Sequence, residues 1–345
     1  MMTSAVPIGI VSTGMYIPET FQTSKEISEL SGVPQDVVEN KFGILRKPVP
    51  GADDHSCEMG IRAARLAIAK AQLDPAEIDL VIYIGEEHKE YPVWTAAMKL
   101  QQEVGATRAW AFDVGMRCST TVMALKVAQS MMMADRPIRT VLLAGGYRNG
   151  DLIDYGNRHT SFMFNLGAGG GAILLQREYG RNHVLASHLI TDGSFSEDVI
   201  VPAGGTKHPL TLEAIEQRKH FFHVPNPQRM KERLDEKSMG YFLEAVRQSL
   251  AKSGYTEKDI TYAAMLHMKK SAHDYVLRQL GLSDDQSIYL NEFGHIGQFD
   301  QILSLELAVS SGKLKDGDVV VLISAGIGYA WGATTIRWGE ADAGN

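Results

Sequence analysis

Cys118 sits in the run Ala111-Phe112-Asp113-Val114-Gly115-Met116-Arg117-Cys118-Ser119-Thr120-Thr121, where an apolar stretch enters a glycine turn and a helical pattern follows. The order places a sulfur at or near a helix N-terminus, next to Arg117. Free N–H groups and the helix dipole favour a thiolate there. A thiolate is a nucleophile at neutral pH and can carry an acyl group. Taken alone, the same cysteine also reads as a small buried residue closing a strand-to-helix turn. Three further groups lie far along the chain. His267 directly follows the apolar run Tyr262–Leu266, at a strand's C-terminal end, where ligand chemistry gathers in open α/β sheets. His295 and Asp300 share the loop Asn291–Asp300, ahead of the helical pattern Gln301–Ala308. A carboxylate near an imidazole can orient it and stabilise its cation, which makes a general base. Asp300 has the alternative of simply capping its helix. Cys118, His267, His295 and Asp300 are also zinc-ligand types, but no short paired spacing such as CxxC or HExxH supports a metal site.

Something must bring these distant groups together, and the chain's internal repetition predicts what does. Ala69-Lys70, Glu77-Ile78-Asp79 and the apolar strand from Leu80 recur as Ala251-Lys252, Asp259-Ile260-Thr261 and the strand from Tyr262, each 182 residues on. Thr140–Gly146 likewise resembles Val319–Gly326, as continuous apolar runs ending at glycine do when they form buried strands. Strands alternating with helices imply an α/β architecture with covered sheets. Two related halves are expected, 1–175 and 176–345. Carried over by about 181 residues, Cys118 falls near Phe299 and Asp300, so two helix N-termini should face each other. The segment from about 204 to 237, rich in Lys, Arg, His and Pro and carrying Phe221 and Phe222, departs from the repeat. It reads as an inserted lid or partner surface, or as an excursion whose aromatics plug the core.

The 345 residues carry a formal charge of -7 and no basic block, which argues against nonspecific nucleic-acid binding. Two cysteines exclude a disulfide framework and fit a reducing setting. No apolar run approaches a membrane span, no signal pattern opens the chain, and the tail Glu340–Asn345 matches no anchoring or retrieval signal, so a cytoplasmic location is expected. Cys57 begins a helical pattern without matching histidines and reads as structural; Met131–Met133 reads as core. Gly167–Gly171 lacks a following Lys-Ser/Thr, so no phosphate loop is expected.

Five segments in order resemble β-ketoacyl-acyl-carrier-protein synthase III (KAS III) and its thiolase-superfamily relatives. They are Ile8–Pro18, Lys41–Arg46, Asp113–Leu125, Asn165–Leu174 (like the family's "GDGAGA" strand) and Gly326–Ala333 (like its closing glycine-rich segment). The resemblance covers nearly the whole chain. It implies a thiolase-like five-layer αβαβα fold of two duplicated halves, a homodimer, and no permanently bound cofactor. The substrate it implies is an acyl group carried by coenzyme A or by the phosphopantetheine of an acyl carrier protein. Cys118 matches the family nucleophile and His267 its histidine. His295 stands where the family has asparagine, Thr120 where it has a glycine two residues after the nucleophile, and Ala168 where it has the "GDGAGA" aspartate. Val37 replaces a tryptophan that stacks on the coenzyme A adenine, which makes a carrier-protein donor more plausible.

Some branches of the superfamily look like acyltransferases with a Cys-His-Asp set. The spacing of His295 and Asp300 fits that description. The expected chemistry is an acyl-thioester on Cys118, passed to an oxygen or nitrogen acceptor in secondary metabolism. His295 is the base, Asp300 its orienter, and His267 a donor to the thioester oxygen or an aid to the thiol. The Cys118 N–H and the backbone at Ile327 form the oxyanion hole, and Arg117, Phe221 and Phe222 contact substrate. The alternative is the family's decarboxylative condensation with a malonyl thioester, in which His267 and His295 hold the enolate oxygen.

Overall fold

Apolar runs that read as covered strands are covered: every residue of Thr140–Tyr147 is buried, as in a strand packed on both faces. The computed structural model describes residues 6–340, so the tail beyond Glu340 lies outside the described residues. Chain order is β1 (Ile8–Tyr16), β2 (Phe21–Thr23), α1 (Ser24–Ser31), α2 (Gln35–Val37), β3 (Arg46–Pro48), α3 (Ser56–Ala71), β4 (Leu80–Tyr83), α4 (Ala96–Val104), β5 (Trp110–Asp113), α5 (Thr120–Ala134) and β6 (Thr140–Tyr147). There follow β7 (Gly169–Arg177), β8 (Arg181–Thr191), α6 (Leu212–Glu216), α7 (Pro227–Lys252), β9 (Tyr262–Met265), α8 (Lys270–Leu280), α9 (Asp300–Ser310), β10 (Val319–Gly326) and β11 (Ala330–Glu340).

Nine strands join in the order β5-β4-β6-β7-β1-β8-β11-β10-β9, and β2 pairs with β3 separately. The order repeats about the β1–β8 seam, where Gly9 meets His183. On one side β4 and β6 run parallel, β6 turns back on β7, and β7 pairs with β1. On the other, β9 and β10 run parallel, β10 turns back on β11, and β11 pairs with β8.

Helices complete the layers. α3 and α4 cover the outer face of the first strand group, and α7, with α8 beside it, covers that of the second. α5 and α9 touch strands of both groups and fill the layer between. The thiolase-like αβαβα arrangement expected from the sequence is therefore the one observed. Close approach at the outer layer depends on small residues. A Cβ on Gly60 of α3 would lie 2.6 Å from the Cα of Gly145 in β6. No described helix is long and apolar enough to cross a membrane.

The segment expected as an insertion is less separate than its composition suggests. It contains α6, but from Pro227 it is continuous with the 26-residue α7, whose later turns bury Phe242, Val246 and Leu250 against the sheet.

Candidate active site

Cys118 lies in a single 3-10 turn, Arg117–Ser119, immediately ahead of α5. Arg117 has a φ of 52°, the left-handed region, so the chain turns sharply just before the sulfur. Gly326, at the end of β10, closes on this turn: a Cβ there would lie 2.9 Å from the Cys118 nitrogen, so only glycine fits. Cys118 is 8% exposed and lines a cavity of about 300 Å³, whose walls also include Arg117, His267, His295 and Ile327. Arg117 donates from Nη1 to the buried Glu86 carboxylate at 3.2 Å.

A second 3-10 turn, Gly297–Phe299, precedes α9. It begins 180 residues after the first (297 − 117), and α9 begins 180 residues after α5 (300 − 120). The two turns are tied together, for the Thr121 hydroxyl donates to the Gln298 carbonyl at 2.6 Å. The duplication also explains Asp300. In the first turn the Thr120 hydroxyl accepts the N–H of Met116, four residues back, at 2.8 Å. In the second, Asp300 Oδ1 accepts the N–H of Ile296, four residues back, at 2.7 Å. Asp300 thus ties down the turn ahead of α9 and does not cap the helix, whose N-cap position is Phe299 without a side-chain cap bond, and its other oxygen does more. Oδ2 accepts from His295 Nδ1 at 2.5 Å and from the His267 backbone N–H at 2.7 Å. The carboxylate is completely buried.

His295 is therefore oriented by Asp300, and it shares the cavity with the Cys118 sulfur, which acts on the charge of its ring. Burial alone lowers the basicity of this imidazole; the Asp300 carboxylate and the Cys118 sulfur override that and hold it well above the usual histidine range. The arrangement suits an imidazole that holds a proton beside the sulfur, can donate it to a leaving group and can then act as a base.

His267 is placed differently from the expectation. Its ring reaches the cavity, but Nε2 donates to the Gly43 carbonyl at 2.9 Å, and Nδ1 accepts from the Asn165 amide at 2.9 Å. Burial pushes it down to about 4, so it is neutral at physiological pH, and its one N–H is already engaged. As it stands, it offers no proton to a thioester oxygen. Phe221 and Phe222 also need correcting, since neither lines the cavity. The Phe222 N–H is fastened to the Leu152 carbonyl at 2.9 Å and its ring is buried in the main apolar cluster. Phe221 is half-buried beneath the Arg218 guanidinium. From the same segment it is Leu234 that reaches the cavity.

Among the lining residues that went unanticipated are Glu86, Tyr147 and Asn165. Asn165 did leave a signal, as the lone polar residue in the apolar run Phe162-Met163-Phe164-Asn165-Leu166. Among the described residues no group of three His, Cys, Asp or Glu side chains is disposed to hold a metal ion.

Fold and site together define a thiolase-fold protein with a buried cysteine facing an imidazole from the opposite half. Residues 112–193 match the family model described as 3-oxoacyl-[acyl-carrier-protein (ACP)] synthase III, and residues 250–338 match its C-terminal counterpart. The chain is 28% identical over 335 residues to the β-ketoacyl-[acyl-carrier-protein] synthase III of Symbiobacterium thermophilum, covering 97% of this chain and 99% of that one. It is 26% identical to the Synechocystis protein of the same name, covering 98% and 100%. In structure it resembles 3-oxoacyl-(acyl carrier protein) synthase III of Pseudomonas aeruginosa, with a TM-score of 0.82, 20% identity, and 97% and 99% of the chains covered. It resembles OleA of Xanthomonas campestris with a TM-score of 0.81, 16% identity, and 97% and 100% covered. At those identities the structural likenesses speak for the fold. The chain is KAS III-like in sequence and thiolase-like in fold. That places it among transferases of the acyl-transferring class.

Proposed function

We propose that the protein forms an acyl-thioester on Cys118 and passes the acyl group to an oxygen or nitrogen acceptor. The observation that carries this reading is the relay Cys118–His295–Asp300, beside a second histidine whose proton is occupied. In the first step Cys118 Sγ attacks the donor's carbonyl carbon. The donor's C–S bond breaks, and the carrier leaves as a thiol with the proton that His295 held, which leaves that imidazole neutral for the second step. The carrier is acyl carrier protein or coenzyme A, the first of which the relatives' names mention. In this reading the Cys118 N–H and the backbone at Ile327 receive the oxyanion; one such donor is worth about 2.7–4 kcal/mol. In the second step His295 Nε2 takes the acceptor's proton as its oxygen or nitrogen attacks. Asp300 stabilises the imidazolium, and the Cys118 thiolate leaves. Apolar residues dominate the cavity, which favours an apolar acyl or acceptor body, with Arg117 at one wall.

A second reading is decarboxylative condensation with a malonyl thioester. The family model and the relatives' names favour it. It asks both imidazoles to donate to one enolate oxygen, so His267 would have to release the Gly43 carbonyl.

The domain assignment is part of the same proposal. Residues 1–175 form the half with the nucleophile, and 176–345 the half with the histidines. The stretch of about 204–237 is an inserted segment that reaches the cavity through Leu234. A homodimer through the β5 edge is supported by exposed Trp110 on that strand and exposed Met98 on the adjoining α4. Two free, buried cysteines fit a reducing cytoplasm.

Intact-protein mass spectrometry after mixing with acyl- and malonyl-thioesters tests the first step. An acyl adduct is expected on wild type and not on Cys118→Ala; uptake indifferent to that substitution ends the proposal. Product analysis separates the two readings. An ester or amide formed without carbon dioxide supports transfer, and a 3-oxo product with carbon dioxide supports condensation.

A further inference from the structure

Asn165 holds both histidines, one by its ring and the other by its backbone. Its side-chain amide donates to His267 Nδ1 at 2.9 Å, and its backbone carbonyl accepts the His295 N–H at 2.8 Å. The next residues extend the hold: Leu166 and His295 form an isolated parallel bridge, and the Gly167 N–H donates to the His295 carbonyl at 2.9 Å. The carbonyls on either side of Asn165, those of Phe164 and Leu166, both accept from Lys47 Nζ at 2.8 Å. Lys47 is 1% exposed, so the anchor is made away from water, where such bonds are strong and costly to leave unmade.

The consequence for His267 is a matter of donors and acceptors. A neutral imidazole has one N–H and one lone pair in the ring plane. The Gly43 carbonyl at Nε2 can only accept. With the Asn165 amide donating at Nδ1, the sole arrangement that satisfies both is a proton on Nε2. Asn165 thereby keeps that proton aimed at Gly43 and away from the reacting oxygen.

We propose that Asn165 is the positioning residue of this site: it locks His267 in the Nε2–H form bound to Gly43 and sets the His295 loop, leaving His295 as the one imidazole that acts on substrate. The proposal rests on the reading that Cys118 carries the acyl group and His295 moves the acceptor's proton.

The test is histidine NMR on 15N-labelled full-length protein, alongside acylation and transfer assays. Two-bond 15N–1H correlations report which ring nitrogen carries the proton. Wild type should show His267 protonated on Nε2 only at pH 7. Asn165→Asp faces Nδ1 with an acceptor and should place protons on both nitrogens. Asn165→Leu keeps the bulk and removes the donor. Both variants should acylate Cys118, as read by intact mass, yet transfer about 10²-fold more slowly, the cost of a displaced catalytic group. A wild-type His267 protonated on Nδ1 overturns the proposal, whether or not any variant folds. So does a wild-type transfer rate in both variants. Should wild type form no adduct on Cys118, the functional reading fails, and the histidine spectrum still decides the role of Asn165.

Discussion

At residue scale, one carboxylate holds the site. Asp300 accepts three N–H groups, from Ile296, His267 and His295, and is fully buried. Asn at this position keeps one acceptor oxygen and turns an amide N–H₂ toward a donor. Asp300→Asn should therefore lower transfer by about 10²–10⁴-fold, the usual worth of an oriented base. It should also destabilise the fold by about 1–3 kcal/mol, the cost of an unsatisfied buried N–H. Steady-state transfer and denaturant unfolding check the two effects separately. A variant with wild-type transfer would show that Asp300 only ties down its turn. The orienting role was readable from the spacing of His295 and Asp300, whereas the capping role was not realised, since Asp300 bonds Ile296 ahead of the helix. That His267 would be saturated was not, because its partners Gly43 and Asn165 lie 224 and 102 residues away.

At element scale, catalysis depends on how close β10 comes to the nucleophile turn. Gly326 leaves no room for a Cβ beside the Cys118 nitrogen. Gly326→Ala should push the turn aside and slow acylation of Cys118 by about 10²-fold, as a shift of about 1 Å does. Rapid-quench measurement of adduct formation reads this directly, and an unchanged rate would remove Gly326 from the account. The β10 glycine and the helical pattern after Cys118 are plain in the sequence. Their contact is not, since neither segment's own periodicity says which loop lies against which. The same applies to Phe221 and Phe222, whose composition suggested a lid over substrate. Backbone bonds to Leu152 and between Ile200 and His223 pin that segment elsewhere.

At the scale of the whole molecule, burying neutral histidines makes stability depend on pH. Burial pushes both His267 and His273 down to about 4. The unfolded chain binds these protons near pH 6.5, before the folded one does. Their contribution is therefore complete above about pH 6.5 and is lost as pH falls toward 4. Each should cost about 2 kcal/mol by pH 5. His295 runs the other way. Raised in the folded state, it contributes fully below about pH 6.5 and loses that contribution as pH rises through its folded value. His273 lies outside the reacting groups, so His273→Gln should lose about 2 kcal/mol less than wild type between pH 7 and pH 5 in urea unfolding. Equal losses would show that His273 does not titrate as described.

The amino-acid order determined the architecture by itself. Buried apolar strands, glycine punctuation and a repeat of about 180 residues are local signals, each legible within a few residues, and together they specify two α/β units and a nucleophile at a helix start. Only the tertiary structure decided which nitrogen of which histidine is free. Hydrogen bonding is directional and short-ranged, so the outcome was set by segments such as Gly43 and Asn165 that meet their histidines solely once both halves have packed.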